Sequence, residues 1–180
     1  RLPEAISLRV ADAQGRVRYG PGLDAKATIN VADREYFQRQ RKFSGNDLVI
    51  ARPLFARISK EWSIPVSRRI SGPDGSFAGV VYVNTSISHL YKTFANLELG
   101  RHGSVSLFNP ELEIFARYPE PEGMGNVAGK KIAAEQLQTL LSEGHAAATY
   151  RAKSMRADAM YTYSYRKLSN HPLYVVASLA

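Results

Sequence analysis

Residues 8–19 read LRVADAQGRVRY, and residues 105–118 read VSLFNPELEIFARY. Each segment contains an apolar strand, a polar turn and a second alternating strand that ends in Arg-Tyr. Asp, Asn, Gly and Pro in the two turns favour the backbone dihedrals that fold one strand back onto the next. The two segments therefore predict two β-hairpins of the same design, one in each half of the chain.

Two further pairs of segments repeat in the same order. SRRIS at 67–71 resembles YRKLS at 165–169, and VVYVN at 80–84 resembles YVVAS at 174–178. All the matches are separated by slightly under one hundred residues, which favours tandem copies of one module. Each copy is expected to contain a hairpin, then a helix, then two or three long antiparallel strands, which is an α+β architecture.

The elements that follow each hairpin are predicted from periodicity and turn residues. The first copy is expected to form a helix capped by Asp33 and covering 34–42, with strands at 48–58, 61–70 and 77–85. The second copy is expected to form a helix at 130–143, with strands at 146–152, 159–168 and 173–179. The space between such a sheet and its helix is a common place for a small ligand.

Residues 86–99, SISHLYKTFANLEL, separate the two copies. Their apolar residues recur at intervals of three and four, which predicts an amphipathic connecting helix that Gly100 ends. The predicted division is therefore a first module at 1–85, a connecting helix at 86–99 and a second module at 100–180.

Composition excludes several classes of protein. The 180 residues contain no cysteine, so disulfides, thiolate metal sites and cysteine nucleophiles are excluded. The chain has no run of eighteen apolar residues and shows no basic segment followed by an apolar one, so any targeting signal is expected to have been removed or to lie upstream. The net charge of +8 is scattered along the strands, which favours a solvated basic surface, with nucleic-acid binding as the alternative.

No pattern in the chain calls for an enzyme, a metal or a cofactor. The four histidines lack metal-ligand spacing, and no nucleophile elbow, P-loop or dinucleotide-binding motif occurs. A small-molecule enzyme would need a converging acid–base or metal group, which the sequence does not indicate.

Arginine and aromatic residues are concentrated in the first copy. A guanidinium offers a planar fork of donors that matches a carboxylate, and an aromatic wall beside it excludes water. A pocket of this kind suits a small organic anion. The predicted site comprises Arg34, Tyr36, Arg52, Trp62, Ser67, Arg69, Tyr82 and Asn84.

Simpler roles remain open for several of these residues. Tyr36 is as compatible with the core as with a pocket, and Trp62 could close a strand edge. Arg68 and Arg69 alternate, so at least one of them is expected to face solvent, and the sequence does not decide which face of this strand meets the helix. In the second copy the alternating tyrosines at 161, 163 and 165 are interpreted mainly as packing.

Four segments in this order resemble the double Cache family. They are VADREYF from 31, WSIPVSRRI from 62, PDGSFAGVVYVN from 73 and LGRHGSVSLF from 99, and the resemblance extends from Leu8 to Leu179. Members of this family are tandem PAS-like extracytoplasmic sensor domains of bacterial histidine kinases, diguanylate cyclases and chemoreceptors. The resemblance implies two PAS-like modules, each an antiparallel sheet flanked by helices.

The resemblance also implies a place for the ligand. The N-terminal, membrane-distal module would bind a small metabolite, and Arg34, Tyr36 and Ser67 match the family's pocket positions. Asn84 stands where amino-acid-binding members have an aspartate, and a neutral amide holds an ammonium group only weakly. This departure and the nearby arginines favour an organic acid.

The function expected from the sequence is therefore non-enzymatic ligand sensing on the periplasmic side of an inner membrane. The resemblance implies that membrane spans and an output domain, a histidine kinase or diguanylate cyclase, lie outside this chain, and that the full-length receptor is a homodimer. No cofactor or nucleic acid is expected. The alternatives are a nucleic-acid-binding protein, an enzyme with a PAS-like fold, or a module without a small-molecule ligand that acts as a spacer or binds a partner protein.

Overall fold

Two units make up the chain, Arg1–His89 and Leu90–Ala180. The computed structural model describes residues 6–23, 28–154 and 159–180. Within these residues no helix is both long enough and apolar enough to cross a lipid bilayer.

The first unit contains one six-stranded antiparallel sheet and one helix that packs on it. Its strands and helix are β1 (Ile6–Asp12), β2 (Val17–Tyr19), α1 (Glu35–Lys42), β3 (Val49–Ile50), β4 (Leu54–Phe55), β5 (Trp62–Ser71) and β6 (Phe77–Ser86). The strand order is β2-β1-β6-β5-β3, and β4 also pairs with β5. Long antiparallel strands with alternating burial place one face of this sheet under α1.

The core of this unit lies between α1 and that face. Tyr36 and Phe37 of α1 are almost fully buried and pack with Val80 and Tyr82 of β6. Gln40, one turn later on the helix, donates from Nε2 to the backbone oxygen of Ser67 at 2.8 Å. The helix is therefore fixed to the sheet by both apolar burial and a buried hydrogen bond.

The predicted start of α1 was wrong by one residue. Helix α1 begins at Glu35, and its capping position is Arg34, whose side chain makes no capping hydrogen bond. The Asp33 carboxylate instead accepts two hydrogen bonds from Arg57, because a bidentate guanidinium is a stronger partner than a backbone N–H.

The single strand predicted at 48–58 forms two short strands. Strand β3 pairs with β5 opposite Ser67 and Val66, and β4 pairs with β5 opposite Ser63 and Trp62. Pro53 lies between them and has no N–H to donate to the ladder, so regular pairing stops there.

The second unit contains a five-stranded antiparallel sheet. After helix α2 (Ile87–Ala95), which crosses the boundary between the units, come β7 (Ser104–Phe108), β8 (Ile114–Tyr118), α3 (Glu135–Ser142), β9 (Ala147–Lys153), β10 (Met160–Lys167) and β11 (Tyr174–Leu179). The strand order is β8-β7-β11-β10-β9.

Helix α3 is shorter than the predicted helix at 130–143. The backbone before it pairs with the hairpin, since Ile114 N donates to Lys130 O and Ile132 N donates to Leu112 O. These hydrogen bonds hold the segment extended, so the helix starts only at Glu135.

The two sheets have the same topology, which confirms two tandem PAS-like modules. In each sheet the second strand of the hairpin, β2 or β8, lies at one edge, and the first, β1 or β7, lies next to it. The last strand of the module, β6 or β11, pairs with that first strand and, on its other side, with the long strand that precedes it, β5 or β10. The three repeated segment pairs fall on equivalent strands: β1 and β7, β5 and β10, and β6 and β11.

Candidate functional site

A small cavity in the first unit lies between the start of α1, the segment around β4 and the sheet. Its volume is about 10 Å³, enough for about one water molecule. Its lining comprises Val31, Arg34, Tyr36, Leu54, Ala56, Arg57, Ile58, Tyr82 and Asn84.

Two tyrosines form the aromatic wall of this cavity of the first unit, which we name the distal cavity. The ring centroids of Tyr36 and Tyr82 lie 5.0 Å apart with the planes tilted by 34°. Burial, the largest cause, raises the pKa of both phenols, so both stay neutral at any physiological pH.

Two arginines border the cavity but differ in their partners. Arg57 Nη1 and Nη2 each lie 2.7 Å from a carboxylate oxygen of Asp33, and Nη1 also donates to the backbone oxygen of Asn30. Arg34 Nη2 donates to the backbone oxygen of Phe55 at 3.2 Å and forms no ion pair with a described carboxylate. Asp33 therefore offsets the charge of Arg57, and Arg34 leaves a net positive charge at the cavity.

Asn84 brings a buried polar atom to the cavity. The residue is 8 % exposed, and its Oδ1 has no hydrogen-bond partner among the described residues. It lies between Ser7 of β1 and Pro65 of β5, and proline has no N–H. A buried carbonyl oxygen without a donor costs about 1–3 kcal/mol, so a ligand that donates to it would gain affinity.

Arg9 adds a buried guanidinium beside this site. It is 2 % exposed, lies opposite Tyr82 across β1 and β6, and donates to Ser7 Oγ and to the backbone oxygen of Pro21. In the described part of the chain no carboxylate forms an ion pair with it. A buried cation is expensive unless a counter-charge offsets it, so an anion bound beside Arg9 would be stabilised.

The structure brings together four of the eight predicted site residues and places the other four elsewhere. Arg34, Tyr36, Tyr82 and Asn84 line the cavity. Arg52 pairs with Glu35, its Nε 2.8 Å from Oε2, and Trp62 packs edge-on against Phe55 with centroids 6.3 Å apart.

The remaining two lie on β5 outside the cavity lining. Arg69 donates to the backbone oxygens of Gln40 and Phe43 at the end of α1, and its guanidinium stacks 5.0 Å from the Phe77 ring. Ser67 is buried opposite Tyr82, and its Oγ has no partner among the described residues.

Sequence reasoning missed two arginines. Arg57 lies on a predicted strand, but only its folded position shows that it borders the cavity. For Arg9 a signal existed: it alternates with Ala11 in β1, and Ala11 is fully buried, so a period of two places Arg9 on the inner face.

Metal binding finds no support at this site. Across residues 6–23, 28–154 and 159–180, no three His, Asp or Glu side chains cluster closely enough to hold an ion.

Comparison with known proteins places the chain among sensor domains. No family model and no curated protein sequence matches it. The extracellular domain of a protein described as the histidine kinase rpHK1S-Z16 superposes on this chain with a TM-score of 0.82 at 25 % identity, over 96 % of this chain and 69 % of that one.

Chemoreceptor domains share the fold at lower identity. The ligand-binding domain of Pseudomonas fluorescens CtaA in complex with L-leucine gives a TM-score of 0.66 at 14 % identity, over 96 % of this chain and 69 % of that one. The ligand-binding domain of Mlp24 with asparagine gives 0.65 at 15 %, over 96 % and 67 %. The two PAS-like modules and these neighbours confirm the resemblance to double Cache sensor domains, and the neighbours themselves are extracellular or ligand-binding domains of a histidine kinase and of chemoreceptors.

Proposed function

We propose that the chain is the sensing part of a transmembrane receptor, and that a small anionic metabolite binds in its first, membrane-distal unit. The observation that carries this proposal is the pair of arginines without a described carboxylate partner, Arg34 and Arg9, next to the Tyr36–Tyr82 wall. A carboxylate there would gain charge-assisted hydrogen bonds in a site that bulk water reaches poorly, because the two tyrosines and Asn84 are buried.

The chemistry of Asn84 narrows the ligand class. Its amide can donate to a carboxylate through Nδ2 and accept at Oδ1, the atom that lacks a donor. A small hydroxy acid supplies both partners, because its carboxylate pairs with the guanidinium groups and its hydroxyl donates to Asn84. The alternative is an amino acid, whose ammonium group would donate to the same oxygen.

Binding requires the cavity to widen from its volume of about 10 Å³. The wall formed by Leu54, Ala56 and Ile58 is the part most easily moved, since β4 has only two residues and pairs with β5 alone. Displacement of this segment would also strain the Asp33–Arg57 ion pair, because this pair joins the segment to the start of α1.

Signal output would use the continuity of the chain. Strand β6 carries Tyr82 and Asn84, ends at Ser86 and continues without a loop into α2, which begins at Ile87 and enters the second unit. A ligand that favours one of two positions of β6 by about 1–3 kcal/mol would provide a useful switch. The receptor would be a homodimer anchored in the inner membrane by segments outside this chain, with a histidine kinase or diguanylate cyclase as output.

The test is isothermal titration calorimetry on the purified chain with lactate, malate, succinate, acetate, leucine and asparagine. We expect an acid to bind, Arg34→Gln to weaken it by about tenfold or more, and Asn84→Asp to abolish it through charge repulsion. Arg52→Gln is the matched control, because Arg52 lies outside the cavity.

Two results would contradict the proposal. One is equal affinity of the wild-type and Arg34→Gln proteins for every acid that binds. The other is preference for an amino acid that Asn84→Asp strengthens, which would establish the alternative ligand class.

A further inference from the structure

A second and much larger cavity lies in the second unit, between its sheet and the segment that leads into α3. Its volume is about 360 Å³, within the range of about 300–1,000 Å³ that is typical of small-molecule pockets. The lining residues come from β7, β8, β9, β10 and β11 and from Ser154 after β9 on one side, and from 132–137 on the other.

This proximal cavity occupies the same place in its module as the distal cavity. Ser178 of β11 pairs with Ser104 of β7, as Asn84 of β6 pairs with Ser7 of β1. Strand β11 is the counterpart of β6, so Ser178 and Asn84 hold equivalent positions in the two sheets. The fold therefore builds the same hollow twice, and the second copy is the open one.

Polar side chains are gathered at one end of the proximal cavity. Ser104, Ser106 and Ser178 are each at most 6 % exposed, and the Oγ atoms of Ser104 and Ser178 lie 2.8 Å apart. Arg117 of β8 lies opposite Ser106, to which its Nη1 donates at 3.2 Å. Three hydroxyls and a guanidinium in a half-buried hollow form a cradle for a carboxylate.

Apolar side chains line the rest of the cavity. Tyr150 and Tyr163 stack with their ring centroids 5.3 Å apart and their planes at 14°. Burial, the largest cause, raises the pKa of Tyr150 to about 12, so this ring is neutral at physiological pH. The other apolar lining side chains are Phe108, Ile114, Ile132, Leu137 and Val176.

The charges of the lining favour an anion at the serine end. The lining contains three charged side chains, Arg117, Lys153 and Glu135, and the last two are exposed. Their charges oppose each other at the surface, whereas Arg117 is the charge beside the buried serines.

We propose that the proximal cavity is a second ligand site that binds a monocarboxylate with an apolar body. The carboxylate lies against Arg117 and Ser106, and the ring or hydrocarbon chain lies between the Tyr150–Tyr163 stack and Leu137. This site is independent of the distal one, so the receptor would read two chemically different ligands.

The experiment uses the complete chain and the probe 3-phenylpropanoate, with 3-phenylpropanamide as its neutral partner of the same shape. We expect calorimetry to show that the acid binds and that the amide binds about tenfold or more weakly, because the amide lacks the charge that Arg117 pairs with. Hexanoate tests whether a chain replaces the ring.

Three variants locate the site. Arg117→Gln should weaken the acid to the level of the amide, and Ala133→Trp should abolish binding by filling the entrance, where Ala133 is exposed. Arg34→Gln, in the other unit, should leave the affinity for 3-phenylpropanoate unchanged, which separates this site from the distal one.

The proposal is overturned if neither acid binds at about 1 mM, if acid and amide bind equally, or if Ala133→Trp leaves the affinity intact. If Arg117→Gln fails to fold, the comparison of acid and amide on the wild-type chain and the Ala133→Trp variant still test the proposal. Absence of binding at the distal site would not change any of these outcomes.

Discussion

Asp33 and Arg57 form a two-point ion pair, in which Nη1 and Nη2 of Arg57 each lie 2.7 Å from a carboxylate oxygen of Asp33. Asp33 lies just before α1, and Arg57 follows β4, so the pair joins two segments that are distant in sequence at the border of the distal cavity. The hydrogen bond from Arg57 is the largest cause that holds the pKa of the Asp33 carboxyl below its usual range.

The lowered pKa makes this ion pair a pH-dependent source of stability. An acid with a depressed folded-state pKa stabilises the fold fully above its unfolded pKa of about 4, and the stabilisation is lost as pH falls through the folded value. Because Asp33 is mostly exposed, we expect only about 0.2–1 kcal/mol. Urea unfolding at pH 7 and pH 3 should show that Asp33→Asn loses more stability at pH 7 than at pH 3.

A double-mutant cycle with Arg57→Gln provides the control. The coupling energy between the two positions should be positive at pH 7 and smaller at pH 3. Equal coupling at both pH values would show that the carboxylate is not the origin of the effect.

Gln40 should be one of the most sensitive polar positions of the first unit. It is 1 % exposed, and its Nε2 donates to the backbone oxygens of Asp47 and Ser67 at 3.0 and 2.8 Å. Gln40→Leu leaves both carbonyls without this donor, at a cost of about 1–3 kcal/mol. Gln138→Leu, the same change on the exposed side of α3, should alter the free energy of unfolding by less than about 0.5 kcal/mol. Similar losses for both variants would contradict the role of Gln40.

Gly79 is required by the close approach of β1 and β6. Its φ is +147°, and a Cβ built on it would lie 2.1 Å from the backbone oxygen of Ala11. Gly79→Ala should therefore destabilise the unit by about 1–3 kcal/mol or more, since the backbone of a central strand must shift. Gly45→Ala, where the nearest atom is the Asp47 Oδ2 at 3.5 Å, should be nearly neutral in the same chemical unfolding measurement.

A substitution at Ser67 tests whether this residue acts in the ligand site or in the core. Its buried Oγ has no partner among the described residues and lies outside the cavity lining, although the family resemblance places it in a pocket. Ser67→Ala should then leave stability unchanged or raise it, because an unsatisfied hydroxyl is removed. It should also leave the affinity for any distal ligand unchanged, whereas a loss of about tenfold would return Ser67 to the site.

The sequence predicted the fold well because its signals are local and occur twice. The hairpin turns, the alternating strands and the three repeated segment pairs each restrict one element, and their common order restricts the topology. Element ends were less accurate where long-range hydrogen bonds decide them, as with Lys130 and the start of α3 or Asp33 and the start of α1.

The sites were harder to predict because they depend on partners distant in the chain. Arg52 turns away from the cavity to pair with Glu35, and Arg69 turns to the carbonyls at the end of α1, neither of which periodicity reveals. The alternating tyrosines were interpreted as packing, yet Tyr163 lines the proximal cavity, whose existence depends on the extended path before α3.

Arg9 provides the sharpest distinction between stability and ligand binding. A buried guanidinium without a described counter-ion costs free energy in the absence of ligand, and among the described residues Ser7 and Pro21 accept hydrogen bonds from it. Arg9→Met keeps an apolar stem of similar length and removes the charge. We expect the free energy of unfolding to change by less than about 1 kcal/mol, since removal of a buried charge offsets the loss of these hydrogen bonds.

The same variant should lose affinity for the distal acid by about tenfold or more, because a charge-assisted partner near Tyr82 is gone. Calorimetry and urea unfolding on one preparation measure both quantities. A loss of several kcal/mol in the free energy of unfolding with unchanged affinity would show that Arg9 is a structural cation that holds Pro21. Arg34, which forms no ion pair with a described carboxylate, would then be the cation that binds the distal ligand.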